Sequence, residues 1–511
     1  MRLPHAPGPT HAKIAWTAIR DYQTVSGLIR VALGVCLCLL ISGTLADADL
    51  WGHLRFGLDL LASGRLPVLD SYSFTSDRPW INHEWLAELL MALAYRSAGA
   101  AGLNGLKLVC IATIAAVIVA LANKHGATPA ARDTLVGLTV LATYTRTNVI
   151  RPQMFSVALF CIILYLLGEI DRGRERVVWM LPVCFGIWVN LHGGWILGLG
   201  VVGLWFAAAI LTQQAGPRKP FLLAAAAIIV ATLVNPYGIG LWRFLAQTVS
   251  LERADITEWR PLFSLPPSIL FLEAILPATA LVAVWATPWR VPRRYAVMVL
   301  LLVLMASRVG RLDAFAQASI AILLAPAILL FLDAAIARLR APFWRAQNPA
   351  GTFLLLSLVA IAVLMGGRRA SRITVAGAWI PDKDAAIFLR DYLPGVRLLT
   401  WFDWGEYAIW HLAPVGTRVS IDGRRETVYT AGVVAQHVGF YEAHPSNIDY
   451  ADRIRADVVW LPATAPVLAP LRGHGWNVAF ESPRSLVLTR TPTPTYRATT
   501  TAQEARTFPW P

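Results

Sequence analysis

Long apolar runs separated by short polar interruptions dominate this chain. Runs near 27–46, 104–122, 133–146, 153–169, 177–191, 194–213, 220–235, 267–286, 295–307, 314–335 and 352–366 predict about eleven membrane-spanning helices, the shorter ones close to the lower length limit for a crossing. A further run at 85–98 is preceded by Glu84 and interrupted by Glu88 and Arg96. That pattern fits an interfacial helix leading into the second span. Beyond Gly366-Gly367 the texture changes to short mixed elements. Asp382 to Asp391 predicts a helix, Arg397 to Thr400 a strand and Gly405 to His411 a short helix. Arg418 to Ile421 and Asp457 to Leu461 predict buried strands ending in turns at Asp422-Gly423 and Pro462, and a hairpin follows near 476–490.

The expected fold is a polytopic α-helical membrane protein with a small C-terminal α/β domain. Its parts are a cytoplasmic N-terminal tail over 1–26, a transmembrane body over 27–367, an outer α/β domain over 368–490 and a tail over 491–511. The Thr and Pro content of that last stretch predicts disorder. The body carries a first outer loop at 47–84, long for a connection and therefore a place for function. A second outer loop, 236–266, holds Glu252, Asp255, Glu258, Trp259 and Arg260.

Composition agrees with the pattern. With 511 residues, 56% of them hydrophobic and 15% charged, the chain is more apolar than a soluble protein of its size needs to be. Arg2, Lys13 and Arg20 precede the first span, and alternate loops carry Lys124 and Arg132, then Arg172, Arg174 and Arg176, then Arg218 and Lys219, then Arg290, Arg293 and Arg294, then Arg338, Arg340 and Arg345. This bias marks one side as cytoplasmic, and an odd number of spans then puts the C-terminal domain on the other, periplasmic side of a bacterial inner membrane. The net charge of +14 comes mostly from these loops, which lack the aromatic interleaving of a strand-binding platform. Nucleic acid is therefore excluded as a partner. All five cysteines, Cys36, Cys38, Cys110, Cys161 and Cys184, fall in predicted spans, which excludes a disulfide-stapled outer domain and a zinc-type pair in an aqueous segment.

Candidate chemistry gathers on the outer side. The first span is followed directly by Asp47-Ala48-Asp49-Leu50-Trp51-Gly52-His53-Leu54-Arg55, with His53 four residues after Asp49 and so on the same helix face. Single acids at a helix exit are also ordinary solvated loop residues. Asp49 is the first candidate for a general base and Asp47 the second; His53 either orients the carboxylate or binds a metal beside it. In Asn82-His83-Glu84-Trp85, Asn82 fits a helix cap and Glu84 fits equally a first-turn acid or a site residue. Other outer helix ends offer Arg146, Arg151, His192, Arg308, Arg311 and Asp313. Arginine on this side runs against the charge bias, so each one calls for a reason, either an anionic ligand such as a lipid phosphate or snorkelling to ordinary headgroups. Trp51, Tyr72, Phe74, Trp80 and Trp85 fit sugar stacking and, more simply, an interfacial aromatic belt.

These motifs resemble the GT-C superfamily of polyprenyl-phosphate-dependent glycosyltransferases, and most closely a bacterial subgroup with an Asp-x-Asp-Leu-Trp-x-His-Leu opening. The subgroup also shares Asn-His-Glu-Trp-Leu, Arg-Pro-Gln and Asn-Leu-His-Gly-Gly, with Asp-Trp-Gly-x-Tyr and Ile-Asp-Gly-Arg in the outer module, here Asp403 to Tyr407 and Ile421 to Arg424. The resemblance implies an inverting transferase that moves a hexosyl or pentosyl unit from a polyprenyl-phosphate donor to a lipid or polysaccharide acceptor at the periplasmic face. It implies that Asp49, and after it Asp47, is the catalytic base or a metal ligand. His53, His83, Glu84, Arg151, His192, Arg308 and Arg311 are then expected to bind substrate. A Trp-Trp-Asp signature and a second outer Asp-x-Asp are not evident, which argues against protein N-glycosylation and leaves a divalent metal open. Two other functions remain in view: a flippase for a lipid-linked saccharide, and a non-catalytic envelope-assembly protein that recognises saccharide through Asp403, Glu406, Tyr407, His411, Asp422, Arg424 and Arg425. In a structural reading of that last group, Arg424 pairs with Asp403.

Overall fold

The computed structural model describes residues 25–211, 218–248, 259–338, 349–377, 379–498 and 506–510. Most of the expected cytoplasmic tail, the loop acids Glu252, Asp255 and Glu258, and Arg340 and Arg345 lie outside the described residues. Four described helices are long and apolar enough to cross a membrane: Trp85–Lys124, Gln153–Asp171, Pro267–Ala286 and Phe353–Ala370. A fifth crossing results if Gly310–Leu323 and Ala325–Ala337, bent by 70°, count as one. Shorter apolar helices cover Arg30–Ser42, Trp195–Ala209 and Lys219–Thr232. By length and composition, then, the described residues supply four or five of the expected crossings. The run expected over 314–335 divides at Leu324, next to Pro326 in the first turn of the following helix, where proline has no amide to continue the preceding turn.

Helix ends follow local chemistry. Thr128 accepts a hydrogen bond from the Ala131 amide at the start of Pro129–Ala142, with proline in the first turn. The helix beginning at Trp85 breaks at Ala98 and Gly99, which separates the charged 85–97 segment from the apolar helix beyond it.

The C-terminal region folds on a six-stranded mixed sheet. Its strands are β1 (Arg397–Thr400), β2 (Arg418–Val419), β3 (Val458–Pro462), β4 (Asn477–Glu481), β5 (Ser485–Thr489) and β6 (Tyr496–Arg497), in the order β2-β1-β3-β5-β4-β6. The β1 strand runs parallel to β2 and β3, whereas β5 is antiparallel to β3 and β4. Helices Lys383–Tyr392, Gly405–Leu412 and Ala431–Tyr441 connect and cover them.

The first outer loop and this sheet are one packed unit. Ser73 bridges Val419 of β2, the Val419 amide donates to Tyr72 O and the Phe74 amide to Val419 O. Arg424 donates to both oxygens of Asp70, at 2.7 and 2.9 Å, and also pairs with Asp422. Its partners are therefore Asp70 and Asp422 in place of the expected Asp403. The stretch expected to be disordered from 491 is ordered in its described parts: β6 pairs with β4, and residues 506–510 dock between loop and module. Phe508 is buried against Trp51, and the Trp51 indole donates to Pro509 O. Two late aromatic residues, Phe508 and Trp510, supply apolar area that the Thr and Pro composition masks.

Candidate active site

The helix Leu50–Ser63 starts at the acid pair. Asp49 is its N-cap residue, and the Asp47 side chain accepts from the Asp49 amide at 3.0 Å. Both carboxylates therefore sit where the helix dipole favours negative charge. Arg151, in the turn before Gln153–Asp171, closes on them from the body, with Nη2 2.6 Å from Asp47 Oδ1 and 3.1 Å from Asp49 Oδ2. Their side chains stay partly open, 18% exposed for Asp47 and 32% for Asp49.

A turn further along the helix, His53 faces a second cluster. Its Nδ1 lies 3.1 Å from Glu88 Oε1 and 3.9 Å from Glu84 Oε2. Asn82 donates to Glu88 Oε2 at 2.6 Å and accepts from the Glu84 amide, while its own amide donates to the Tyr237 hydroxyl. Asn82 thus holds the loop and Glu88 in place, and the Glu84 carboxylate is left facing the histidines. His83 Nε2 and His192 Nε2 each lie 3.7 Å from Glu84 Oε1, and Arg311 Nη2 lies 3.5 Å from His192 Nε2. On the other side of the His192 ring, Nδ1 accepts from the Gly194 amide and contacts Ser156 Oγ at 2.7 Å. The Gly194 amide and the Arg311 guanidinium thus face opposite nitrogens of the His192 ring.

The charges follow from this placement. Burial opposes a proton on His53, but the Glu88 hydrogen bond and the charges of Glu84, Glu88 and Asp49 outweigh it and raise the pKa to about 9. Burial likewise opposes ionisation of Glu84, and the His83, His53 and Arg311 charges overcome it and hold the carboxyl at about 2. Burial, reinforced by Arg311, lowers His192 to about 3. At neutral pH the cluster is thus a Glu84 anion between a protonated His53 and a neutral His192.

A cavity of about 920 Å³ joins the two clusters. Asp47, Asp49, His53, His83, Glu84, Arg151, His192 and Arg311 all line it. Arg308 does not; it is exposed at the end of Arg293–Arg308, whereas Arg311 turns inward on the short Gly310–Leu312 turn. Arg146 binds Gly310 O beside the cavity wall. The aromatic residues Trp51, Tyr72 and Trp80 are buried packing residues; Tyr72 and Trp80 pack tilted and edge-on against Phe56 around Arg424. The C-terminal domain closes the cavity with Phe402, Asp403, Glu406, Gly423, Arg425 and Glu426. Glu88 belongs to the site although it reads in sequence only as an interruption of an apolar run; its position four residues after Glu84 was the available signal. Among the described residues, no group of three or more His, Cys, Asp or Glu side chains is placed to hold a metal ion.

No family model matches the chain, and no curated protein matches it in sequence. Solved structures match its fold. An archaeal oligosaccharyltransferase, AglB from Archaeoglobus fulgidus in complex with an inhibitory peptide and a dolichol-phosphate, gives a TM-score of 0.59 at 12% identity, over 92% of this chain and 73% of that one. The chain has a GT-C fold. ArnT from Cupriavidus metallidurans bound to undecaprenyl phosphate shares this GT-C fold with a TM-score of 0.55 at 13% identity, over 95% of this chain and 99% of that one.

Proposed function

We propose that this protein is an inner-membrane glycosyltransferase that moves a sugar from a polyprenyl-phosphate carrier to a lipid or polysaccharide acceptor, with inversion at the sugar carbon. The observation that carries the reading is the cavity's two-ended character. One end holds the Asp49–Arg151 pair and the Glu84–histidine–Arg311 cluster, and the other is an apolar trench of Leu197, Val201, Leu204, Leu301 and Met305. Leu204 and Met305 are each 46% exposed, so the trench opens onto an apolar surface along which an isoprenoid tail runs into lipid. The two polyprenyl phosphates named in the AglB and ArnT structures support this donor class.

The chemistry uses the chain's own side chains. Asp49, paired with Arg151, takes the proton of the acceptor hydroxyl as that oxygen attacks the anomeric carbon. The bond from this carbon to the carrier phosphate breaks, and its electron pair leaves on the phosphate oxygen. Arg311, with His83 beside it, stabilises the charge that develops there. Asp47 shares Arg151 and holds it in register with Asp49. The distribution of lysine and arginine supports about eleven crossings with the N-terminus in the cytoplasm and the C-terminal domain in the periplasm.

The test is incubation of purified protein in liposomes with a panel of polyprenyl-phosphate sugars and lipid acceptors, with mass spectrometry of the lipids. Formation of a glycosylated acceptor together with free polyprenyl phosphate is the expected result. Movement of the lipid-linked sugar across the bilayer with no covalent product would replace the transferase by a flippase.

A further inference from the structure

Glu406 is a buried acid that the transfer chemistry leaves unused. It stands in the first turn of Gly405–Leu412 and reaches out of the C-terminal domain to the cavity wall. Two glycines make room for it. A methyl group on Gly52 would overlap Glu406 Oε2, and one on Gly423 would meet Glu406 Oε1 at 2.8 Å and Asp49 Oδ1 at 2.5 Å. Glu406 Oε1 and Asp49 Oδ1 therefore both approach the open side of Gly423.

Glu406 is 3% exposed, and its Oε2 is buried without a hydrogen-bond partner. Among the described residues, the charged groups that act on it most strongly are the acids Asp49, Asp422 and Glu88 and the cation Arg424, which is already engaged by Asp70 and Asp422. An anion in this slot would be desolvated and repelled by three carboxylates, and a neutral acid avoids both costs. Burial first, then Asp49 and Asp422, push the Glu406 carboxyl well above the usual carboxylate range.

We propose that Glu406 is a positioning residue that works as a neutral acid: by turning toward Asp49 beside Gly423, its carboxyl donates a hydrogen bond to Asp49 Oδ1 while Arg151 holds Asp49 Oδ2. The inference rests on Asp49 being the base. The proton stays on Glu406 throughout, and no bond to Glu406 forms or breaks. Its effect is to turn Asp49 toward the acceptor hydroxyl and to keep that carboxylate ionised, which requires the C-terminal domain to be seated on the first outer loop. The domain thereby becomes part of the reaction centre.

Two readouts test this. Infrared difference spectroscopy of the purified protein at pH 7 is expected to show a protonated-carboxyl band that Glu406→Gln removes. Turnover of whichever undecaprenyl-phosphate-linked sugar the wild type uses is then followed across pH. Glu406→Gln keeps the volume and a donor, and is expected to retain the rate within about threefold. Glu406→Ala is expected to lower kcat by about 10- to 100-fold and to move the acidic limb of kcat/KM up by about one pH unit, because Asp49 loses a donor to its charged form. A Gln variant as slow as the Ala variant, an unmoved acidic limb in Glu406→Ala, or a wild type without the carboxyl band would each overturn the proposal. Full turnover in Asp49→Asn would instead overturn Asp49 as base while leaving the infrared band in place, so the two failures are distinguishable.

Discussion

Arg151 and Arg424 are built alike and do different work. Each guanidinium bridges two aspartates, Asp47 and Asp49 in one case and Asp70 and Asp422 in the other. Around Arg424 the acids are closed off, although the arginine and Trp80 touch the cavity wall: the side chains of both acids are 0% exposed and its own 6%, and the rings of Phe56, Tyr72 and Trp80 lie 4.9, 5.4 and 4.7 Å from the guanidinium carbon. Around Arg151 the acids keep faces toward the cavity. A charge cluster that satisfies itself in an aromatic box holds two segments together, and one left open to a cavity keeps lone pairs for a ligand.

The two clusters are expected to differ most in what they contribute to stability. Replacing Arg424 with Leu leaves two buried carboxylates without their cation and is expected to cost about 3–5 kcal/mol. Replacing Arg151 with Gln leaves carboxylates that water can reach, and the expected cost is about 1 kcal/mol. Denaturant unfolding of the purified variants measures both, and equal losses would remove the distinction. A smaller effect sharpens it through pH. His53, raised to about 9, stabilises the folded state fully below its unfolded value of 6.5, and that contribution fades as pH rises through about 9. Arg424, whose pKa two carboxylates raise well above the ordinary arginine value, does not titrate there. The melting temperature is therefore expected to fall between pH 6.5 and 9 in the wild type, and to fall less in His53→Gln. A slope that persists unchanged in His53→Gln would place its origin elsewhere.

The sequence carried the elements of the C-terminal region well and the side-chain pairings poorly. The strands at 397–400 and 458–462, the hairpin and the helix from Gly405 were readable because apolar runs of strand length end at turn residues. Asp49 and Arg151 were each readable as a charge out of place, and only folding shows them sharing a hydrogen-bond distance. Arg308 and Arg311 gave the same signal; the end of a helix and the turn after it send them to opposite sides. The Arg424 partner is hidden from sequence because Asp70 comes from the first outer loop, far away in the chain. Glu406 was legible as a polar residue of a short motif, and its burial depends on Gly52 and Gly423, which approach it from two distant segments.

The most direct test sets Asp49→Asn beside Asp70→Asn, measuring transfer rate and melting temperature on the same preparations. Asp49→Asn is expected to lower transfer by about 10²- to 10⁴-fold and to melt with the wild type, whereas Asp70→Asn melts earlier. An Asp49→Asn protein that transfers sugar at the wild-type rate would contradict Asp49 as the base.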